Sequence, residues 1–288
     1  MRTSLPTLKA EAEALAAAAP RLSPRAGEAS AAHPGAAGRR RAGTGEDFWQ
    51  YRNYNAEDGS TRIDWRRSAR GDRLFVRETE LETARSFLFW IDPSPGFHWR
   101  SSPTTSTKAD RAAILFMAFA SQLARAGERC GALGGPRNPV NGQRAPMRMA
   151  EDLWGLEGAS AFPKPNKDPA TVLIASDFYT PLEDWRSRLT ELAGRNRYGA
   201  LLAIADPAEA EYPFEGRVRF SLPGAKTSRL IGRAENIRSD YLERFNQRRQ
   251  DLSDIAAELG WRLITHKTND APSPVLAQLN ALVLEAAN

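Results

Sequence analysis

The sequence has little of what disulfide-bonded, zinc-binding or membrane proteins require. Its 288 residues include one cysteine and three histidines, so no disulfide can form within the chain and a Cys/His zinc site is not expected. The longest wholly apolar run, residues 112–120, is far shorter than the ~20 residues of a membrane-spanning helix. No phosphate-binding Gly-x-x-x-x-Gly-Lys loop or Gly-x-Ser-x-Gly nucleophile elbow occurs. We therefore expect a soluble protein of the cytoplasm, a reducing compartment, without membrane insertion.

The charge pattern does not favour nucleic-acid binding. The formal net charge is +5, but residues 46–85 contain one more carboxylate than they contain arginines. A nucleic-acid-binding face carries a net positive charge, whereas mixed charges at this density are typical of salt-bridged surface structure. The aromatic residues of this Arg-rich front segment could stack on bases or pack the segment on a domain, and the charge balance favours packing. These aromatic residues are Trp49, Tyr51, Tyr54 and Trp65.

Composition divides the chain into three parts. Residues 1–44 contain an alanine-rich stretch, 7–19, that predicts a helix ended by Pro20, followed by a flexible linker with few large apolar groups. Residues 45–83 are rich in charges and aromatic side chains, and we expect an irregular segment docked on the main domain. Residues 84–288 alternate short apolar runs with amphipathic stretches.

This alternation predicts an α/β domain with a doubly wound, mainly parallel sheet and helices on both faces. Short apolar runs bounded by turn residues are typical of strands that are covered on both faces. The predicted strands are residues 73–80, 87–91, 129–133, 171–176, 199–205, 217–222, 226–231 and 261–265, and the predicted helices are residues 107–127, 149–154, 180–194, 236–259 and 274–286.

Three predicted strands end in an aspartate: Asp92, Asp177 and Asp206. Ligands of open parallel sheets bind beyond the carboxyl ends of the strands. Carboxylates beside the hydroxyl of Ser94 are hard oxygen ligands, suited to Mg²⁺ or another divalent cation. Each aspartate could instead cap the turn or helix that follows it. The position of Asp206 before Pro207 favours a cap, and both interpretations stay open for Asp92 and Asp177.

An ordered series of short motifs precedes and enters the main domain. It consists of Gly43-Thr44-Gly45-Glu46, Tyr51-Arg52, Asp58-Gly59, Arg62-Ile63-Asp64-Trp65-Arg66-Arg67-Ser68-Ala69-Arg70 and Val76-Arg77-Glu78. The series closely resembles the signature of the domain-of-unknown-function 58 family, and the resemblance extends from about residue 43 to the end of the chain. The signature residues are Glu46, Arg52, Asp58, Arg62, Asp64, Trp65, Ser68, Arg70, Arg77 and Glu78.

The resemblance implies a von Willebrand factor A-like fold and a binding module that is not an enzyme. It implies a MoxR-type AAA+ ATPase as partner, in a chaperone-like system that matures or assembles an unknown client protein. A-like domains hold a metal ion with an Asp-x-Ser-x-Ser motif, a threonine and a further aspartate. Asp92 and Ser94 match the motif and Asp177 resembles the further aspartate, but Gly96 replaces the second serine and residues 128–170 contain no threonine. The resemblance therefore implies a degenerate metal-ion-dependent adhesion site.

We expect the partner-binding rim to consist of Asp92, Ser94, Gly96, His98, Asp177 and Asp206. The alternative is a divalent-metal-dependent hydrolase that uses the strand-end aspartates, although no nucleophile or general base accompanies them. A second alternative is nucleic-acid binding through the Arg-rich front segment. His33 lies in the linker, His266 is expected to be a satisfied structural histidine, and Cys130 is expected to be inert packing.

Overall fold

The computed structural model describes residues 3–20, 22, 42–55, 59, 63–69, 71, 73–80, 84–156, 162–221 and 227–285. The chain divides into two compact units: the main unit, Met1–Gly27 with Arg85–Asn288, and the inserted unit, Glu28–Ala84. The inserted unit therefore interrupts the main unit in sequence. The linker predicted after Pro20, with His33, falls almost entirely outside the described residues.

The described elements follow each other in this order. They are α1 (Leu5–Ala18), β1 (Ala42–Asn53), α2 (Trp65–Ser68), β2 (Phe75–Glu80), β3 (Ser86–Ile91), α3 (Lys108–Arg125), β4 (Arg129–Ala132), α4 (Ala145–Gly155), β5 (Thr171–Ser176), α5 (Leu182–Ala193), β6 (Gly199–Ala205), α6 (Pro207–Glu211), β7 (Val218–Ser221), β8 (Ser228–Ile231), a 3-10 helix (Ala234–Ile237), α7 (Arg238–Glu258), β9 (Arg262–Lys267) and α8 (Ser273–Glu285).

The inserted unit contains a two-stranded antiparallel ladder of β1 and β2. The strand β2 lies within the predicted strand 73–80, but β1 falls where irregular structure is predicted. Its register with β2 shifts between Gly43 and Phe48. Glycines and charged residues interrupt the apolar alternation of β1, so its sequence does not predict a strand that pairs with β2.

The main unit contains a parallel five-stranded sheet with the order β4-β3-β5-β6-β9. The first of these strands, β3, has a neighbour on each side, so successive strands are added first to one edge and then to the other. The topological switch point lies between β3 and β5, which is where open α/β sheets form a crevice for ligands.

Helices cover both faces of this sheet, which confirms the predicted fold class. The strand β3 shows how the pleat divides the core, because alternate side chains face opposite sides. Phe87 and Phe89 pack in a cluster with buried residues of α1, α3, α4 and α8. Leu88 and Trp90 pack in a second cluster with residues of α5 and α7. Because both faces are buried, β3 is apolar at every position from 87 to 91.

The helix α1 packs against α3 within the main unit. Its residues Leu8, Ala12 and Ala16 are fully buried and lie four positions apart, so they form one stripe along the helix. The helix α3 lies between this stripe and the sheet, which is why almost all of its side chains are buried. The helix α4 is longer than the predicted segment 149–154.

Candidate functional site

A cleft of about 810 Å³ lies at the carboxyl edge of the sheet, and the loops after β3 and β5 contribute to it. These two strands flank the topological switch point, so the cleft lies where the topology of the sheet predicts a ligand site. Asp92, Ser94, Gly96 and Asp177 line it. His98 and Asp206, the other two residues of the predicted rim, are not among its lining residues.

Asp92 connects the loops that follow β3 and β5. Its Oδ1 accepts a hydrogen bond from the backbone N–H of Ser94 at 2.8 Å. Its Oδ2 accepts one from the Ser176 hydroxyl at 2.5 Å, and that hydroxyl oxygen in turn accepts the N–H of Phe178 at 2.9 Å. The carboxylate is buried, and each of its oxygens has a hydrogen-bond partner within the protein. These hydrogen bonds hold the loop after β3 against the end of β5.

Lys108, the first residue of α3, is the centre of the cleft floor. Its Nζ lies 2.8 Å from Asp177 Oδ2 and 2.6 Å from Glu209 Oε1, and 5.2 Å from the centre of the Tyr179 ring. The side chain is only 1% exposed. Lysine is almost never buried this deeply without partners. A cation at a helix N-terminus is also opposed by the helix dipole, so the two carboxylates hold it there.

Besides Lys108, a backbone N–H group positions each of the Asp177 and Glu209 carboxylates. Asp177 Oδ1 accepts the backbone N–H of Tyr179 at 3.1 Å, and Glu209 Oε2 accepts that of Asp206 at 2.9 Å. Burial raises the pKa of Glu209 above its ordinary value, and the Lys108 ammonium opposes this shift. We call Asp177, Lys108 and Glu209 the ion triad.

The ion triad does not fit the divalent-cation site that the family resemblance implies. The ammonium of Lys108 contacts Asp177 directly, and a second cation beside it would be repelled. Gly96 has no ligand atom where the implied motif has serine, although a Cβ at this position would lie 3.7 Å from Asp177 Oδ2. In the part of the chain that the structure describes, no three His, Cys, Asp or Glu side chains group as metal ligands.

Aromatic side chains form one wall of the cleft, from α6 through the β7–β8 hairpin to α7. Tyr212 lies centrally in it, with ring centres 4.7 Å from Tyr241, 5.2 Å from Phe214 and 6.0 Å from Phe220. Trp99 and Tyr179 also line the cleft. The cleft thus combines a charged floor with a largely apolar wall, which is the usual character of a binding site.

Asp206 has the capping role that its place before Pro207 favours. It is fully buried, its Oδ1 accepts the N–H of Ala208 at 2.9 Å, and its Oδ2 accepts the N–H of Ser101 at 2.9 Å. With Glu209 it forms a capping box at the start of α6. Asp206 therefore holds the start of α6, the helix that carries Glu209, and it has no surface in the cleft.

The remaining candidate residues of the main unit lie elsewhere. His98 lines a small pocket with Leu153 and Trp154. His266 is buried, but its Nε2 has no hydrogen-bond partner among the described residues, so it is not the satisfied histidine that the sequence predicts. Burial, with a smaller contribution from the Arg111 charge, lowers the pKa of His266 to about 4. Burial also raises the pKa of the Cys130 thiol, as expected for inert packing.

Three of the ten signature residues are described with their side chains. Asp64 caps α2 by accepting the N–H of Arg67 at 2.9 Å. The Ser68 hydroxyl donates to the Asp64 carbonyl at 2.8 Å and accepts the N–H of Phe75 at 2.9 Å, so these two residues support the inserted unit locally. Trp65 is 63% exposed. The other side chains lie outside the described part of the chain: Glu46, Arg52, Asp58, Arg62, Arg70, Arg77 and Glu78.

Comparison with families of known proteins identifies the family of this chain. No curated protein and no solved structure matches the chain. Within the described residues, none of the helices has the length and apolar character needed to cross a membrane. The model of the family described as "Protein of unknown function DUF58" matches residues 50–251, which is more than half of the chain and includes the ion triad. The chain therefore belongs to the DUF58 family of proteins of unknown function.

Proposed function

We propose that this protein is a non-catalytic protein-binding module and that the cleft at the carboxyl edge of the sheet is its docking surface. The observation that carries the proposal is the cleft itself, in which the charged groups of the floor are held by one another and by backbone N–H groups. Such groups are oriented for recognition. No histidine or cysteine is among the described residues that line the cleft, and these are the usual partners of a nucleophile.

The hydrolase alternative has less support from this arrangement. It requires Asp92, Asp177 and Asp206 to converge on one metal ion, but Asp206 is buried as a helix cap and Asp177 pairs with Lys108. The nucleic-acid alternative concerns the Arg-rich front segment, and the carboxylates of residues 46–85, which outnumber the arginines, disfavour it. Of the three proposed functions, binding of a protein partner agrees best with an aromatic wall beside a satisfied ion cluster.

The resemblance of the signature motifs supports a MoxR-type AAA+ ATPase as the partner, in the maturation or assembly of a client protein in the cytoplasm. We further propose that docking does not depend on a divalent ion. The Lys108 ammonium already supplies positive charge beside Asp177, the position at which the implied metal site would supply it.

Capture of a MoxR-type ATPase encoded in the same genome tests the proposed function. Immobilised wild-type protein is compared with Ser94→Ala and Asp92→Ala, and with Ser187→Ala on the exposed side of α5 as the matched control. We expect both cleft variants to retain about a tenth or less of the bound ATPase, since buried polar contacts at an interface are worth about 1–3 kcal/mol. The control should bind normally.

Two results would contradict the proposal. Capture that is unchanged in both cleft variants would remove the cleft as the docking surface. Capture that EDTA abolishes and Mg²⁺ restores would show that docking depends on a divalent ion. Thermal unfolding of each variant shows whether a loss of capture reflects a loss of folded protein, and Ser94→Ala removes only one hydroxyl from a partly exposed residue.

A further inference from the structure

The β7–β8 hairpin is a ladder with free outer edges. In the part of the chain that the structure describes, no third strand pairs with either β7 or β8. A two-stranded hairpin is only marginally stable by itself, and a third strand stabilises it. The chemistry of such an edge selects its occupant, because its row of backbone N–H and C=O groups pairs with another extended backbone.

The edge of β8 is open to solvent and borders the cleft. In β7, half-buried and exposed residues alternate, as they do in a strand with one covered face. In β8, the three successive residues from Ser228 to Leu230 are all exposed, although successive side chains point to opposite faces. Ser228 and Arg229 both line the cleft, so the open edge is continuous with the proposed docking surface.

The hairpin region is basic. Residues 215–235 contain five basic side chains and two glutamates. The described arginines of this region are exposed and pair with no carboxylate of the described residues: Arg217, Arg219, Arg229 and Arg233. Charge on an edge strand opposes pairing between two copies of a protein, since like charges would meet. The same charge attracts an acidic segment of a different protein.

Two neighbouring side chains of β8 differ in character and indicate what an added strand would carry. Arg229 lies on the same face as its ladder partner Phe220, and Leu230 lies on the other face with Arg219. Leu230 is 45% exposed. Side chains that face each other across two strands interact. A carboxylate therefore suits the position beside Arg229, and an apolar β-branched residue suits the position beside Leu230.

We propose that an extended acidic segment of the partner protein pairs with β8 as the third strand of the hairpin. A carboxylate of the segment lies beside Arg229, and an adjacent apolar residue lies beside Leu230 on the opposite face. The inference rests on the proposed function and specifies how the partner is held at the border of the cleft.

Peptide display on the full chain tests this inference. Three libraries are selected, each with random flanking residues and a centre fixed as Val-Glu-Val, Val-Lys-Val or Pro-Glu-Pro. The second centre reverses the charge, and the third keeps the charge but removes backbone N–H groups that a ladder needs. Every clone is retested on Arg229→Glu and on the control Arg195→Glu, which makes the same change at an exposed residue before β6, at the opposite edge of the sheet.

We expect the Val-Glu-Val library to give about tenfold more clones that need Arg229 than either other library. Exchanging an opposite-charge pair for a like-charge pair across two strands changes affinity by up to about this factor, and so does the loss of a ladder hydrogen bond. These clones should bind at least about fivefold less well to Arg229→Glu and normally to Arg195→Glu. Bound peptide should also slow hydrogen exchange of the outward backbone N–H groups of β8 about tenfold or more, because they become hydrogen-bonded.

Several results would overturn the inference. These are equal yields from the three libraries, an excess from the Val-Lys-Val library, no clones that need Arg229, or exchange in β8 that bound peptide leaves unchanged. Slow exchange in β8 of the free protein, together with a dimer in sedimentation, would assign the edge to a second copy instead. Retention of single-stranded RNA or duplex DNA that Arg229→Glu abolishes would assign it to nucleic acid instead.

The two proposals fail separately. If ATPase capture requires Ser94 while Val-Glu-Val peptides leave β8 unprotected, the cleft remains a docking surface and only the added strand is refuted. If these peptides protect β8 while capture ignores Ser94, the added strand stands and the docking of the ATPase in the cleft is refuted.

Discussion

Replacing Lys108 with methionine is expected to destabilise the main unit strongly, because the buried carboxylates of Asp177 and Glu209 would lose their shared cation. The ammonium is within 2.8 Å of one carboxylate and 2.6 Å of the other, and its side chain is 1% exposed. Removing one partner of a buried ion pair costs about 3–5 kcal/mol, since the remaining charge stays in a poorly solvated place. Methionine has a similar volume, so a cavity contributes little to this loss.

The expected change is large enough to measure by thermal unfolding. For a unit of this size, 1 kcal/mol corresponds to about 2–4 °C, so the melting temperature should fall by about 10 °C. The double variant Lys108→Met/Glu209→Gln leaves only the carboxylate of Asp177 unpaired, whereas Lys108→Met alone leaves both Asp177 and Glu209 unpaired. It should be more stable than the sum of the two single effects predicts, because the two side chains are in direct contact.

Lys267→Met is the matched control. Lys267 also contacts two carboxylates, Glu211 at 3.1 Å and Asp270 at 3.8 Å, but its side chain is 33% exposed. Exposed pairs contribute about 0–1 kcal/mol, so this variant should melt within about 3 °C of wild type. A Lys108→Met variant that melts no earlier than the control would refute the buried ion triad. Stabilisation of wild-type protein by Mg²⁺ would refute the argument that the ammonium takes the place of a metal.

Three further predictions concern the rest of the main unit. Asp206→Ala leaves the backbone N–H groups of Ala208 and Ser101 without their acceptor, so the free energy of unfolding in urea should fall by about 2–3 kcal/mol; a loss below about 0.5 kcal/mol would contradict the cap. The pKa of His266 is about 4 in the folded protein and about 6.5 in the unfolded chain. Because the unfolded chain binds the proton more tightly, stability should fall by about 3 kcal/mol as the pH falls from about 6.5 to about 4, and His266→Gln should flatten this part of the pH profile. Gly199→Ala places a Cβ about 2.4 Å from the Trp261 ring and should cost about 1–3 kcal/mol. Gly155→Ala, whose Cβ meets nothing within 4 Å, should be neutral or stabilising by up to about 1 kcal/mol.

The sheet of the main unit could be predicted because its strands carry their signal locally. Each central strand is buried on both faces, so an unbroken apolar run marks it, and β5 and β6 have the predicted bounds. Asp92 and Asp177 could be placed at one edge for the same reason, since parallel strands end on the same side. Asp206 could be recognised as a cap because Pro207 follows it.

The centre of the site could not be predicted, because its contacts join distant parts of the chain. Lys108 is 69 positions from Asp177 and 101 positions from Glu209, and no local pattern indicates that a lysine at a helix start will be buried. Its one signal is a positive charge where the helix dipole favours a negative one. The strand β1 was missed for a related reason, since its ladder partner β2 follows only after α2.

The docking of α1 on α3 sets an order of events during synthesis. The helix α1 leaves the ribosome before α3, which begins roughly ninety residues later. At about 5–20 residues per second, the nascent chain waits about 5–20 s before the partner of α1 is available. During that interval the stripe of Leu8, Ala12 and Ala16 stays uncovered. The helix α1 therefore cannot reach its final place before α3 has been made, and a chain shortened to begin at residue 42 would leave the matching surface of α3 permanently bare.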